Sequence, residues 1–412
     1  MFIMSKTIRF AHLADLHLGG WREKNLTHLN FITFQKTIAK IIEEKVDFVI
    51  FAGDIFNNAL PPIELVNSVV KELMKLKKAE IPLYVIGGSH DYSFTGKSYI
   101  DLLESAHVLI DVSKYKLVDK EKIALEFFKD NSGANISGIL GKKNGLDKNI
   151  YSNLNSHTLS KENFNIFVFH TTLDDIKPDF LKHSKSEVNS SYLPQGFDYY
   201  AGGHVHTHIE KKINNNSILS YPGPLFPNNF LEMKNEQPSF NLCEFDFETR
   251  DTKIKRVYLK TYEKIHIKIE LSENSTPTSA KSQIYENISK FDIKEKIVLL
   301  EIIGIIDGKI SDINLNEIVA KTYQNGAFQI LKNTYKLTTI NTLTPEMSIE
   351  NDSVENIEHA LISKYLNEEN EQEHIQIMKK MLKSEFSKID GEKISQFEER
   401  VINSIEKSLK EN

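Results

Sequence analysis

At 412 residues the chain is too long for one ordinary hydrophobic core, so we expect two or three domains. Its 40% apolar and 26% charged residues indicate a soluble globular protein, and the single cysteine, Cys243, excludes an internal disulfide framework and a thiolate metal cluster. The net charge of −6 does not exclude a nucleic-acid partner, because a basic surface can be local and bound metal ions supply positive charge. The sequence contains no apolar run long enough to cross a bilayer and begins without the apolar segment of a signal peptide. It therefore predicts no membrane association and a cytoplasmic location, or a nuclear one in a eukaryote.

Strand and helix patterns alternate through the first 260 residues or so. The early part predicts strands over 8–14, 48–52 and 83–87 and helices over 29–45, 62–78 and 98–106. Shorter strands follow at 115–118, 123–128, 135–140, 217–221, 239–247 and 253–259. Early strand–helix units joined to a later strand-rich half predict an α/β fold of two packed sheets with helices outside.

The pattern changes after Leu259. Strands at 266–270 and 297–304, helices at 279–291 and 314–324 and a strand at 327–337 predict a small α/β unit. Beyond Pro345 the sequence is charged and helical, with helices expected over 371–388 and 391–409. We therefore predict three domains, over 1–260, 261–345 and 346–412.

Five short polar blocks each follow an apolar run of the kind that forms a strand. The blocks are Asp15-Leu16-His17, Gly53-Asp54, Gly88-Ser89-His90-Asp91, His170 and Gly203-His204-Val205-His206. Side chains at the carboxyl ends of adjacent strands converge in α/β folds, so we expect the blocks to meet at one site. Imidazole and carboxylate ligands without thiolate suit a pair of borderline or hard divalent ions such as manganese.

In order and composition, these blocks resemble the calcineurin-like metallophosphoesterase pattern D-x-H, G-D, G-N-H-D/E, H, G-H-x-H. Within that superfamily the chain resembles the SbcD-type double-strand-break repair nucleases, called the meiotic recombination eleven family in archaea and eukaryotes. The resemblance is carried by residues 12–19, 52–56, 88–91, 169–170, 200–206 and 221–224. The later regions match the family's capping and ATPase-binding regions only in order and size.

The resemblance implies a role for each block. Asp15, His17 and His206 would hold one metal ion, His170 and His204 would hold a second, and Asp54 would bridge the two. Two ions can orient a bridging hydroxide and stabilise both oxygens of an in-line phosphoryl displacement. His90 would act as general acid or charge stabiliser at the leaving oxygen, and Asp91 would fix its tautomer.

The same resemblance implies a manganese-dependent DNA endo- and exonuclease with two Mn²⁺ ions per subunit. It would be a metallophosphoesterase sandwich with a DNA-binding capping domain and a helical tail that binds an SMC-like ATPase of the SbcC type. Arg22 and Lys24, just after the first block, are candidate DNA contacts. The family's Asn is replaced by Ser89, a shorter and poorer ligand, so we expect the second ion to bind weakly or through water. Asn57 stands where many members carry a histidine implicated in the exonuclease reaction, which makes endonuclease activity the safer expectation.

Two other functions stay open at this point. One is a metallophosphodiesterase that acts on a small phosphodiester; the other is a catalytically weakened scaffold that binds DNA ends. The 150 residues beyond the first domain favour the nuclease over the small-molecule enzyme, and the full set of Asp and His ligands argues against a decayed site.

Two apolar surfaces predict protein partners. The helix at 62–78 carries a wider apolar stripe than packing on one sheet needs, which with the helix at 98–106 predicts a homodimer interface. Its apolar residues are Ile63, Leu65, Val66, Val69, Val70, Leu73, Met74 and Leu76. The tail carries two amphipathic stripes, which predict a docking surface for the ATPase; the alternative is that the two helices pair only with each other. The residues expected to dock are Ile375, Met378, Met381, Leu382, Phe386, Phe397, Val401 and Ile405.

Overall fold

The structure is a computed structural model of the chain. It describes residues 7–93, 96, 98–118, 122–141, 147–154, 159–178, 188–213, 217–340, 397, 400 and 402. The chain divides into two compact units, residues 1–338 and 339–412. Almost all of the second unit lies outside the described residues.

The first sheet has six strands in the order β14-β13-β1-β2-β3-β4. These strands are β1 (Thr7–Leu13), β2 (Phe48–Ala52), β3 (Leu83–Ile86), β4 (Ile110–Asp111), β13 (Ser239–Asp246) and β14 (Thr252–Tyr258). Strands β1 to β4 are parallel, while β13 pairs antiparallel with both β1 and β14. Because β1 to β4 are parallel, their carboxyl ends lie along one edge of the sheet.

The second sheet also has six strands, in the order β11-β12-β10-β9-β8-β7. They are β7 (Phe128–Lys129), β8 (Ala134–Ile139), β9 (Phe164–His170), β10 (Tyr199–Gly203), β11 (Ile209–Lys212) and β12 (Ile218–Tyr221). The four central strands β8, β9, β10 and β12 are parallel, and the two outer ones are antiparallel to their neighbours. A separate hairpin joins β5 (Tyr115–Leu117) to β6 (Ile123–Leu125).

Aromatic and branched side chains fill the space between the two sheets. Phe10 of the first sheet stacks on Phe48 with ring centroids 5.2 Å apart, and Phe164 of the second sheet stacks on Phe245 of the first at 3.9 Å. Helices α1 (Lys24–Glu43), α2 (Ile63–Lys78) and α3 (Tyr99–Ser105) cover the outer face of the first sheet. Two short helices, α4 (Asp147–Ser152) and α5 (Phe230–Asn235), lie in the loops of the second half.

A third sheet, here called the capping sheet, lies within residues 264–339. It consists of β15 (Lys264–Glu270), β16 (Ile297–Ile306), β17 (Gln329–Asn333) and β18 (Leu337–Thr339). Two helices pack on it, α6 (Pro277–Ser289) and α7 (Leu315–Gln324). Both begin at residues suited to N-caps: Thr276 Oγ1 accepts a hydrogen bond from Ser279 N, and Asn314 Oδ1 accepts one from Glu317 N.

The α/β class and the two packed sheets with helices outside are confirmed. Two predicted single strands are wrong in detail, because each breaks into two. The 123–128 run forms β6 and β7, and the 327–337 run forms β17 and β18. The predicted boundaries at 260 and 345 stay predictions. The predicted helical tail lies outside the described residues except for Phe397, Arg400 and Ile402, which are helical. Among the helices described, none has the length and apolar character needed to cross a membrane.

Candidate metal centre

The polar blocks meet where parallel strands of both sheets end. Asp15 and His17 follow β1 and Asp54 follows β2, while His170 ends β9 and His204 follows β10. Backbone hydrogen bonds fasten the first two loops together, from Asp15 N to the carbonyl oxygen of Gly53 (3.1 Å) and from His17 N to that of Asp54 (3.0 Å). The convergence predicted from the strand ends is therefore present in the fold.

Four of these residues adopt the left-handed backbone region, which non-glycine residues rarely occupy. Their φ angles are 51° at Asp15, 40° at His17, 52° at Asp54 and 86° at His204. Such conformations cost free energy and persist where surrounding contacts hold them, most often at functional sites. Here the contacts between the loops after β1 and β2 support the first three residues, and the hydrogen bonds from His204 N to the Asp15 carboxylate support the fourth.

Two glycines allow the strand ends to approach each other. A Cβ at Gly203 would lie 1.9 Å from the carbonyl oxygen of Ala52, and one at Gly88 would lie 2.2 Å from Asp54 Oδ1. No side chain fits at either distance. The glycines of the G-S-H-D and G-H-V-H blocks therefore allow close packing of the strand ends around Asp54 and Ala52.

The candidate ligand atoms form two separate triads, and a third group, His17, Asp54 and His90, connects them. In the first triad, defined as Asp15, His17 and His206, Asp15 Oδ1 lies 4.0 Å from His17 Nε2 and 3.7 Å from His206 Nε2. The two imidazole nitrogens Nε2 face each other at 3.1 Å. In the second triad, defined as Asp54, His170 and His204, Asp54 Oδ2 lies 3.2 Å from His170 Nε2. Each triad offers ligand atoms within 4.8 Å of one another, close enough to surround one ion.

Asp54 lies between the two triads. Its Oδ2 faces both, 3.6 Å from His17 Nε2 and 3.2 Å from His170 Nε2. Its Oδ1 accepts a hydrogen bond from the backbone N–H of His90 at 2.8 Å. From this position Asp54 would be able to contact an ion held at either triad.

The donor atoms fit divalent cations. His170 Nε2 is buried and has no hydrogen-bond partner in the part of the chain that the structure describes. Burial lowers the pKa of His17 to about 3, so its imidazole is neutral at pH 7, the form that binds a metal ion. Burial also opposes the charged form of His170, but the carboxylates of Asp54 and Asp15 outweigh it and raise the pKa of His170 to about 10, so a metal ion would have to replace a proton there. A set of imidazoles and carboxylates suits manganese, iron or zinc better than calcium, which prefers oxygen ligands alone.

The histidine rings are oriented through their other nitrogens. His170 Nδ1 lies 2.8 Å from the carbonyl oxygen of Ala52, which can only accept, so Nδ1 carries a proton and Nε2 is turned towards Asp54, the side on which a metal ion would bind. His206 Nδ1 lies 3.0 Å from Glu232 Oε1 in α5. Burial opposes the effect, but this carboxylate raises the pKa of His206 above its ordinary value. A more basic and firmly oriented imidazole is a better ligand.

Glu232 is the residue that the sequence did not predict. It lies in a short helix 26 positions after His206 and belongs to none of the five blocks. The acidic residue in the first turn of α5 is common at helix starts, and neither α5 nor its approach to His206 is visible in the sequence pattern.

The structure corrects the expected orientation of His90. Its Nδ1 lies 2.8 Å from the carbonyl oxygen of Asn57, which therefore sets the tautomer. The carboxylate of Asp91 instead accepts three backbone hydrogen bonds, from Ile55, Phe56 and Gly88 at 2.9–3.2 Å. Asp91 is buried because it joins the loops after β2 and β3, so its contribution to the site is to hold their shape.

Three further candidates lie in or beside the loops that follow β1 and β3. Ser89 is half-buried in the turn between Gly88 and His90. Arg22 and Lys24 are exposed, one in the loop after β1 and the other at the first position of α1.

Comparison with known proteins agrees with this geometry. Residues 8–208 match the family described as calcineurin-like phosphoesterase.

Three curated relatives carry the name DNA double-strand break repair protein Mre11. The one from Methanococcus maripaludis is 31% identical over 225 residues, which are 52% of this chain and 56% of the relative. The one from Methanopyrus kandleri is 29% identical over 252 residues, 58% of this chain and 54% of the relative. The one from Methanocaldococcus jannaschii is 26% identical over 279 residues, 64% and 71% of the two chains. The chain thus spans little more than half the length of the first two.

Proposed function

We propose, on the premise that residues 8–208 are a calcineurin-like metallophosphoesterase domain, that this chain is a metal-dependent DNA nuclease that hydrolyses phosphodiester bonds. The observation that carries the proposal is the position of Asp54, whose Oδ2 faces His17 and His170 and so connects two triads. DNA is favoured as the substrate because the relatives are named as double-strand break repair proteins.

Two divalent ions bound at the triads would supply the hydroxide nucleophile and stabilise the charge of the phosphoryl group in transit. The chain's own residues would hold that geometry. Asp15 accepts from the backbone N–H of His204 with both carboxylate oxygens, at 3.1 and 3.0 Å, which ties the β1 loop to the β10 loop. Asp54 and Gly88 set the spacing between the triads.

His90 is proposed as the residue that meets the leaving oxygen. Its ring lies edge-on to that of His17, with centroids 4.9 Å apart, and its Nδ1 is occupied by the carbonyl oxygen of Asn57. Only Nε2 can then exchange a proton with substrate. A doubly protonated His90 would donate that proton as the phosphodiester bond breaks.

Manganese is the proposed metal, with two ions in each subunit. The mixed imidazole and carboxylate set supports it, and the replacement of the family's Asn by Ser89 leads us to propose that the second ion is held weakly or through water. Asn57, in place of the histidine found in many family members, supports endonuclease over exonuclease activity.

We propose that the nuclease works with an SMC-like ATPase in double-strand-break repair. The residues expected to dock it, from Ile375 to Ile405, lie outside the described residues apart from Phe397. Truncation at about residue 346 should therefore abolish co-purification with the ATPase and leave metal-dependent cleavage by the isolated chain intact. A truncated chain that still held its partner would place the docking surface elsewhere.

We also propose a homodimer through α2 and α3. Much of the apolar stripe of α2 packs on its own sheet, since Val66, Val69, Leu73 and Leu76 are buried. Exposed apolar side chains nevertheless remain on both helices, Ile63 at 62% and Leu102 at 56% of their surface. Sedimentation at micromolar concentration should give a dimer, and a monomer would remove this part of the proposal.

The decisive experiment is a cleavage assay with manganese on single-stranded circles and end-labelled duplexes, with and without the ATPase. A small chromogenic phosphodiester is tested in parallel. Nicked circles and shortened duplexes support the nuclease. Cleavage of the small diester alone would favour the small-phosphodiester enzyme, and DNA-end binding without any hydrolysis would favour the weakened scaffold.

A further inference from the structure

Helix α5 lies between the first triad and the capping sheet. At its first turn, Glu232 contacts the metal-ligand candidate His206 through Oε1, at 3.0 Å from Nδ1. Glu232 is itself fixed, because Oε2 accepts from Asn228 N at 2.8 Å and its own N–H donates to Asn229 Oδ1 at 2.9 Å. The direction of the His206 ring therefore depends on where α5 stands.

The other end of α5 is held by the capping sheet. Lys264, the first residue of β15, directs its ammonium group at three backbone carbonyl oxygens, those of Met233 (2.5 Å), Lys234 (3.2 Å) and Glu236 (2.6 Å). The last carbonyl groups of a helix lack partners within the helix, and a cation is favourable there. The lysine thus fastens the carboxyl end of α5 to the edge of the sheet.

A second strand of the sheet holds the same helix. Lys234 Nζ pairs with Glu301 Oε2 of β16 at 2.8 Å, and His266 Nε2 of β15 lies 2.7 Å from the same oxygen. Met233 is fully buried in an apolar cluster that includes Leu299 and Leu331 of β16 and β17. Ionic and apolar contacts together thus attach α5 to the capping sheet.

In the part of the chain that the structure describes, His170 of the second triad is oriented without the capping sheet. His170 is directed by the carbonyl oxygen of Ala52, a main-chain group in the central part of the first sheet. A shift of the capping sheet would leave that contact in place, whereas it would displace Glu232 and with it His206.

We propose that the capping sheet sets the affinity of the first triad for its divalent ion through α5, with Glu232 as the positioning residue for His206 and Lys264 as the anchor of the helix. This inference rests on the proposed metal centre. Any ligand that moves the capping sheet, including nucleic acid bound to it, would then change the occupancy of one ion and leave the other unaffected.

The test is a manganese titration of the full chain, with free Mn²⁺ followed by electron paramagnetic resonance and folding checked by thermal unfolding. Glu232→Gln should weaken one of the two ions by about 10–100-fold, the range for residues that orient metal ligands. Lys264→Met, which keeps the length of the side chain, should weaken the same ion by about fivefold or more, the lower end of measured couplings between sites. Lys264→Arg, which keeps the charge, should recover part of that loss.

Lys281→Met is the matched control. Lys281 also lies beside the capping sheet and pairs with a carboxylate, Glu317 of α7, but contacts neither α5 nor the triads in the described residues. It should bind both ions as the parent does. If Lys264→Met does not fold, Glu301→Gln removes a different connection between α5 and the sheet and should again weaken the same single ion.

A folded Lys264→Met or Glu301→Gln protein with two unchanged ions would overturn the coupling. Equal weakening of both ions would also overturn it, because the effect would then be a general loss of structure. A parent chain that bound no manganese at all would overturn the metal centre itself. The failure of the coupling and the failure of the proposed function are thus distinguishable.

Discussion

The two triads use similar ligands but are held in different ways. In the second triad, a backbone carbonyl orients His170, and His170 and Asp54 are buried at the ends of central strands, while His204 is exposed. In the first triad, a side chain from a separate helix orients His206, whose own side chain is 29% exposed. A backbone carbonyl inside a sheet is held in place by the hydrogen bonds between the strands. A ligand held by a side chain depends instead on how the neighbouring element is packed.

This difference suggests a division of tasks. A ligand that the main chain fixes is suited to an ion that stays in one geometry throughout the reaction. A ligand fixed by Glu232 can be tuned, because the carboxylate adjusts both the direction and the basicity of His206. Asp54 belongs to both arrangements, which is why the largest predicted effect concerns it.

Replacing Asp54 by alanine should abolish metal binding at both triads. Its Oδ2 is the only carboxylate oxygen in the described residues that faces an imidazole of each triad at less than 3.7 Å. Even residues that only orient metal ligands cost about 10–100-fold when lost, so we expect manganese-dependent hydrolysis to fall by more than about 100-fold. Metal content measured after dialysis should fall from two ions to fewer than one.

The control is Asp47→Asn, which removes a carboxylate just before β2 whose Oδ2 accepts a hydrogen bond from Arg9 N. It should leave metal content and rate near those of the parent. An Asp54→Ala protein that kept either its metal content or its rate of hydrolysis would contradict the proposed two-ion site.

Ser89→Asn should change the metal affinity of the second triad and leave that of the first unchanged. The amide oxygen reaches further than the hydroxyl and is a better neutral ligand, so we expect the second ion to bind about tenfold more tightly, the low end of the range for changes around a metal. A manganese titration should show one dissociation constant falling while the other stays constant. Ser89→Ala is the matched control, and equal affinities in all three proteins would mean that residue 89 is not near the ion.

Some residues of the site could be predicted from the sequence and others could not. The Asp and His blocks were recognisable because metal chemistry restricts the ligand types and parallel strands bring their carboxyl ends together. Glu232 and the carbonyl oxygen of Asn57 were not, since each acts on a histidine at least 26 positions away through a contact that has no sequence pattern of its own. A main-chain carbonyl has no residue identity to recognise at all.

The same limit applies to the fold. Long, regularly patterned elements such as α2, β2 and β16 were predicted to within a few residues, because burial on a sheet imposes the pattern. The six-residue α5 was missed, although it connects the capping sheet to the site. A helix of that length buries little surface and is stabilised by contacts with other elements, so its own sequence contains little periodicity.

The smallest expected effect concerns the two candidate DNA contacts. Arg22 and Lys24 are exposed, and neither is paired with a carboxylate within the described ranges, so both are free to meet a phosphate. Each phosphate contact that is lost should lower DNA affinity by about fivefold at 0.15 M salt and reduce the slope of log affinity against log salt by about 1. Because the triads are untouched, Arg22→Ala and Lys24→Ala should leave manganese affinity and the rate at saturating DNA unchanged.

Lys255→Ala, which removes an exposed cation on the edge strand β14, is the control and should not alter the slope. An unchanged salt slope in both test variants would assign DNA binding to another surface, whereas a loss of manganese affinity would mean that these cations support the first triad and not the substrate.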